Sequence, residues 1–293
     1  MKYFEKHPMS MIIIGIIGIS LSAIFVKYST APSAVTAAFR LLWTVILMTP
    51  AVIYNAEIKS ELKHITKHNL LLSCVSGLFL AVHFALWFES LQHTSVASST
   101  TIVCTEVIWV ALGFCLFLKG TLTAKAVGAI LVTFVGSVVI ALSDSTGSSH
   151  LYGDLLALLA AIAVAVYTLI GRVVRETVST TAYTYVVYSA CAAVLVLMCL
   201  GQGYSLLAYD SSAVIVGLLL AVFSTILGHS IFSWCLKYFS PAFVSASKLC
   251  EPVVAAIFAG ILFGEIPKML QIIGCILILG GVFYYSRLEM NND

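Results

Sequence analysis

Four charged residues stand inside otherwise apolar stretches of this 293-residue chain: Arg40, Glu106, Lys248 and Glu251. A charge near the centre of a helix in lipid costs on the order of 2.5 to 3.5 kcal/mol, so each needs a partner or a wet cavity. A carboxylate in such a place can bind a cation or exchange a proton, because a low dielectric penalises its ionised form. Lys248 and Glu251, within "SKLCEPV" at 247–253, are three residues apart on one helix face, where an ion pair can form. Glu106 has no opposite charge within four residues of its own helix, which makes it the stronger functional candidate. Arg40 reads equally as a ligand group or as an anchor tying its helix to a carboxylate or to carbonyls. Pro252 cannot donate to the Lys248 carbonyl, so a helix kink that frees this oxygen for a neighbour, water or ligand is expected there. Accommodation of the proline by packing is the plainer alternative.

Other side chains could complete a site around these charges. Trp43, Phe84, Trp87, Phe88, Trp109 and Trp234 are candidate walls, although some are expected in the interfacial belt where Trp is enriched. His83 and His229 stand at similar places in their segments; each reads as a hydrogen-bond donor between helices or, alternatively, as part of a proton relay. No H-E-x-x-H or paired His/Asp arrangement points to a metal, and no Gly-rich phosphate loop points to an ATP-driven motor. The eight cysteines form no C-x-x-C pair and read as inert buried thiols. Neither a cofactor nor a nucleic-acid partner is expected.

The elements that must hold these residues follow from composition. With 61% hydrophobic and only 10% charged residues, and a mean hydropathy of +1.06, the chain has the bilayer as its solvent. Ten apolar runs near the roughly 20-residue spanning length recur, at about 9–28, 34–54, 70–91, 95–118, 123–142, 152–172, 181–200, 212–236, 241–263 and 267–286. The first run is too long for a cleavable signal core and reads as a retained helix. Counting inward from the ends, Glu251 and Glu106 fall ~15 and ~16 Å deep, near the midplane, with Arg40 and Lys248 at ~9 and ~10 Å from opposite faces. Eleven Lys and Arg residues fall on one side of this topology and two, Lys27 and Lys268, on the other. The positive-inside rule then places both termini in the cytoplasm, with the protein in the cell membrane.

The chain also resembles itself. "SLQHTSVASSTTIVCTE" (90–106) matches "CLKYFSPAFVSASKLCE" (235–251) at an offset of 145, which pairs Leu91 with Leu236, Ser95 with Ser240 and Glu106 with Glu251. The same offset relates Lys27 to Arg172. Two units follow, 1–143 and 152–293. Five spans is an odd number, so the second unit enters the membrane from the opposite side. Inverted repeats of this kind are typical of secondary transporters, with a midplane site around which the halves rock.

Three stretches carry a family resemblance over almost the whole chain: "SAIFVKYSTAPSAVTAAFRLLW" (22–43), "HFALWFESLQHTSVASST" (83–100) and "SPAFVSASKLCEPVVAAIFAGILFGE" (240–265). They are similar to the EamA-like transporters of the drug/metabolite transporter superfamily. The resemblance implies an all-α membrane protein of ten transmembrane helices in two inverted five-helix repeats. It also implies a central cavity and movement of small metabolites, often amino acids and frequently outward. Two positions depart from the family pattern in the first half, Val107 for proline and Gly120 for glutamate, whereas the second half keeps Pro252 and Glu265. Less bending of the first half at the midplane is expected from that. The four midplane charges sum to zero, which suits a zwitterion, so the expected function is secondary transport of amino acids or similar polar metabolites. Glu106 or Glu251 is the candidate proton acceptor in H+ antiport. Efflux of lipophilic or quaternary cations is the alternative, and intramembrane lipid-modifying chemistry a remote one. The expected partners are a small-molecule substrate, protons and the bilayer, in a monomer or homodimer.

Overall fold

The computed structural model describes residues 8–94, 99, 102–144, 151–206, 208–251, 253–254, 257–258 and 268–290. The first half contains α1 (Pro8–Ser20), α2 (Ser22–Lys27), α3 (Ser33–Tyr54), α4 (Ala56–His64), α5 (Lys67–His93), α6 (Glu106–Phe117) and α7 (Ala124–Asp144). The second contains α8 (Leu151–Val174), α9 (Thr180–Gly201), α10 (Ser211–Leu219), a π-helical stretch Leu220–Ser230, α11 (Ile231–Cys235), α12 (Pro241–Lys248) and α13 (Met269–Met290). Seven segments are long and apolar enough to cross a bilayer: 8–26, 33–54, 67–93, 151–174, 180–201, 211–235 and 269–290. The apolar segments Glu106–Phe117 and Ala124–Val139 are shorter, and the ninth expected span is described mainly as α12. Large apolar side chains such as Ile13, Leu131, Ile276 and Phe283 lie exposed on the outside, the surface that lipid covers. The chain is a multi-pass helical membrane protein.

Helix starts are written locally. Thr66, Ser179, Asp210 and Ser240 each accept a hydrogen bond from the amide three residues on, and Pro241 follows Ser240 where a missing N–H costs nothing. Two elements lie outside the sequence expectation. The polar break after α3 contains α4, capped by the Asn55 side chain, which accepts from Glu57 N and Ile58 N, and none of its residues is fully buried. The eighth span is π-helical over Leu220–Ser230.

The 145-residue offset reappears in the packing. α7 and α13 cross each other and are offset mates. A Cβ on Gly136 would meet the Gly274 carbonyl oxygen at 2.8 Å and Ile278 N at 3.0 Å, and one on Gly281 would meet the Thr133 hydroxyl and Ala129 O. Gly136 and Gly281 are offset mates, as are Ala129 with Gly274 and Thr133 with Ile278. Residue i thus touches j' while i' touches j, the signature of a two-fold contact. In α8, Ala157, Ala161 and Ala165 are buried, and α8 packs along α5. The corresponding small residues Ala256, Gly260 and Gly264 lie outside the described residues. Cys74 and Cys115, expected to be buried, instead lie on exposed helix faces, and all eight thiols are free.

Candidate functional site

Both carboxylate-bearing segments are interrupted just before the glutamate. In the first half Thr105 N donates to Ile102 O and Ile108 N to Thr105 O; in the second Cys250 N donates to Ser247 O and Val253 N to Cys250 O. These are offset mates, and all four bonds run to the residue three earlier, the tight 3₁₀ spacing that marks a local break in an α-helix. The first half, expected to bend less because Val107 stands in place of proline, carries this turn too, and Val107 N itself donates to Cys104 O at 3.4 Å. Pro252 itself and Glu265 lie outside the described residues.

Glu106 begins α6 and is buried. Lys248, the last residue of α12, donates from Nζ to Glu106 Oε1 at 2.8 Å, and Thr168 on α8 donates to the same oxygen at 3.3 Å. The lysine also sits 5.5 Å from the centroid of the Phe232 ring. The pairing expected within one helix, Lys248 with Glu251, is thus replaced by one between the two halves. The break at 249–250 ends the regular face on which residues three apart would meet, while α6 packs directly against α12. Glu106, unpaired in its own helix, is the paired carboxylate in space. Glu251 is half-buried, and among the described residues no side chain donates to its carboxylate; only its backbone carbonyl accepts, from Ser20 Oγ at 3.4 Å.

Arg40 on α3 is 1% exposed, yet among the described residues its side chain donates to neither a carboxylate nor a carbonyl. Its Nε donates to Thr225 Oγ1 at 2.7 Å, its Nη1 to Ser22 Oγ at 3.5 Å, and its guanidinium lies 4.2 Å from the Phe84 ring centroid. Nη2 has no hydrogen-bond partner among the described residues. Thr225 belongs to the π-helical stretch and donates its own proton to Leu220 O, five residues back, so that its lone pairs face the arginine.

All four charges border one cavity of about 60 Å3, together with His83, Phe84, Trp87 and His229. That volume holds a few water molecules. Much of the wall consists of offset mates: Ile19 with Val164, Phe84 with His229, Val103 with Lys248, Cys104 with Leu249, and Glu106 with Glu251. Phe84 and His229, offset mates themselves, touch each other edge-on at 5.4 Å beside the cavity. His83 donates from Nδ1 to Ala160 O at 3.0 Å, the interhelical bond expected of it, and stacks on Trp87. For a neutral ring this leaves Nε2 as the acceptor. His229 makes ring contacts with Phe84 and Tyr167 and no hydrogen bond among the described residues.

Four expected wall residues are elsewhere: Phe88 is buried behind the wall, with its ring 6.1 Å from Phe84 and 5.2 Å from Trp87 between centroids. Trp43 is half-buried one turn beyond Arg40, and Trp109 bonds back to Thr105 Oγ1 at 3.3 Å within its own segment. Trp234 packs on Tyr238, 4.3 Å between ring centroids. Conversely, Ser22, Val103, Cys104 and Ser245 line the cavity unexpectedly. The offset already tied Val103 to Lys248 and Cys104 to Leu249; the two serines carry no such signal.

Comparison with known proteins bears on the family and the fold. The model of the EamA-like transporter family matches twice, at residues 8–142 and 151–287. A transporter of Bacillus subtilis (strain 168), YxxF, described as uncharacterized, is 23% identical over 94% of this chain and 87% of its own length. Another uncharacterized transporter, from Clostridium kluyveri, is 22% identical over 85% of this chain and 82% of its own length. One solved crystal structure superimposes with a TM-score of 0.80 at 16% identity, covering 98% of this chain and 99% of that one, a likeness of fold. Two family matches that together span nearly the whole chain settle its membership: this protein belongs to the EamA-like transporter family of the drug/metabolite transporter superfamily.

Proposed function

We propose that the chain is a secondary transporter that carries small zwitterionic metabolites, amino acids above all, outward across the cell membrane. In this reading 1–143 and 152–293 are inverted five-span repeats, ten spans in all with both termini cytoplasmic, which alternate access around the shared cavity. The observation that carries the substrate class is the state of the four charges. Lys248 and Glu106 neutralise each other. What remains among the described residues is one guanidinium with an unpartnered nitrogen, Arg40, and one carboxylate without a donor, Glu251. A zwitterion supplies both complements: its carboxylate to Arg40 and its ammonium to Glu251, with Trp87 and Phe84 for an apolar side chain. Glu251 rather than Glu106 is then the carboxylate free to take a proton on the return step.

The test is a thermal-shift screen of purified protein against a metabolite library, followed by pH-gradient-driven uptake of the hits into vesicles. Amino acids or betaines should raise the melting temperature. The shift should vanish in Arg40→Gln and Glu251→Gln and persist in Trp43→Phe. Proton dependence should be lost in Glu251→Gln and survive in Glu106→Gln. Stabilisation by lipophilic cations alone would favour cation efflux instead, a reading that the aromatic wall beside Glu251 supports and the neighbouring Arg40 opposes.

A further inference from the structure

We infer that Lys248 is the residue that sets the charge class of the substrate, keeping the cavity neutral and therefore closed to cations. The inference deepens the transport reading above and rests on it for the location of the site. Its basis is an asymmetry: the position related to Lys248 by the repeat is Val103, and both side chains line the cavity. A fully symmetric wall with valine at both places would contain Arg40, Glu106 and Glu251, one positive charge against two negative, together with Phe84 and Trp87. Carboxylate surplus beside aromatic rings is the chemistry that binds quaternary ammonium groups. One lysine removes that surplus. It does so from within the wall, since its Nζ is held by Glu106 at 2.8 Å and over the Phe232 ring, and a side chain only 10% exposed cannot be replaced by a passing solvent ion.

A merely structural lysine would give a different result from a selective one. If Lys248 only glued α12 to α6, its loss would lower stability without changing which sign of ligand the protein prefers. If it sets the charge balance, its loss must change preference with a predictable sign. Across a cavity wall at an effective dielectric of about 20, one unit charge at ~6 Å shifts an equilibrium by well over tenfold.

The experiment uses choline and glycine betaine, which share a quaternary ammonium head and differ by one carboxylate, with binding measured on the purified full chain at one fixed pH for all variants. Lys248→Met should gain choline binding, or shift the choline-to-betaine affinity ratio at least tenfold toward choline. Adding Glu106→Gln to Lys248→Met restores neutrality and should abolish that gain. Glu106→Gln alone leaves one net positive charge and carries the test with opposite sign, through gained binding of a small organic anion such as isobutyrate. It also keeps the test open if Lys248→Met fails to fold. Cooperative unfolding of each variant establishes that it is folded. Folded single variants with an unchanged ion preference would overturn the inference even if wild type binds amino acids. A gain of choline binding in Lys248→Met with no zwitterion binding by wild type would instead overturn the transport reading and leave the role of Lys248 standing.

Discussion

Glu106 and Glu251 are the same residue in the two halves of one architecture, and their surroundings differ. Each follows a tightened turn at the equivalent place, and each borders the same cavity. Glu106 receives a lysine and a threonine; Glu251 receives nothing among the described residues. The backbone is therefore symmetric where it positions the carboxylates, and the side chains break the symmetry where charge is decided. The repeat supplies two matching positions, and the single difference between Val103 and Lys248 gives their carboxylates different partners.

The largest effect that would break this comparison is on stability. Removing one partner of a buried ion pair leaves the other charge stranded, at about 3–5 kcal/mol. Glu106→Ala should accordingly lower the melting temperature of the purified protein steeply, whereas Glu251→Ala, which strands no donor, should cost within about 1 kcal/mol. Losing both charges together in Glu106→Gln/Lys248→Met should cost much less than Glu106→Ala. Equal losses at Glu106 and Glu251 in thermal unfolding would mean that the two carboxylates are not differently partnered after all.

A smaller and sharper contrast sits at the α7–α13 crossing. A methyl group on Gly136 would press on backbone, the Gly274 oxygen at 2.8 Å, so the helices must separate; overpacking of this kind costs about 1–3 kcal/mol. A methyl on Gly281 first meets the Thr133 hydroxyl, which can rotate away by giving up its 2.8 Å bond to Ala129 O, at about 1 kcal/mol. Gly136→Ala should therefore destabilise more than Gly281→Ala in denaturant unfolding. Adding Thr133→Ala should relieve only the second. A reversed order would show that the crossing is not held as the two-fold contact implies.

Much of this was legible in the sequence because it rests on composition and register. The spans follow from runs of apolar residues, and the pairing of Glu106 with Glu251 from the offset of 145, which also governs the glycine crossing and most of the cavity wall. Arg40, Glu106, Lys248, Glu251, His83, His229, Phe84 and Trp87 all reached the cavity as candidates. What failed was inference from local rules alone. The three-residue spacing of Lys248 and Glu251 presumes an unbroken helix, and the chain breaks between them. Val107 carries no sign of a break because its amide still donates, only to Cys104 O three residues back, as any non-proline amide can. Nothing local distinguishes Trp87, which faces the cavity, from Trp43, Trp109 and Trp234, which do not. Helix α4 follows a recognisable Asn55 cap, but its nine residues, six of them polar, resemble an ordinary loop.

The smallest predicted difference concerns how the offset-related helices α5 and α10 begin. Thr66 caps α5 through its hydroxyl, accepting from Asn69 N at 3.2 Å; Asp210 caps α10 through its carboxylate, accepting from Ser212 Oγ at 2.9 Å and Ala213 N at 3.3 Å. The Ser212 hydroxyl and the Ala213 amide together hold the Asp210 carboxyl below its ordinary range. A depressed carboxylate lends its support to the folded form at every pH above its unfolded value. That support is withdrawn as the pH falls through the lowered folded value. Acidification should therefore fray the first turn of α10 while the hydroxyl cap of α5 is untouched. Amide hydrogen exchange, corrected for the intrinsic effect of pH, should show protection at Ala213 lost below the ordinary carboxylate range and protection at Asn69 unchanged. In Asp210→Ser the difference should disappear, because a hydroxyl then caps both helices. Parallel loss at the two helix starts would assign the change to the whole protein rather than to this cap.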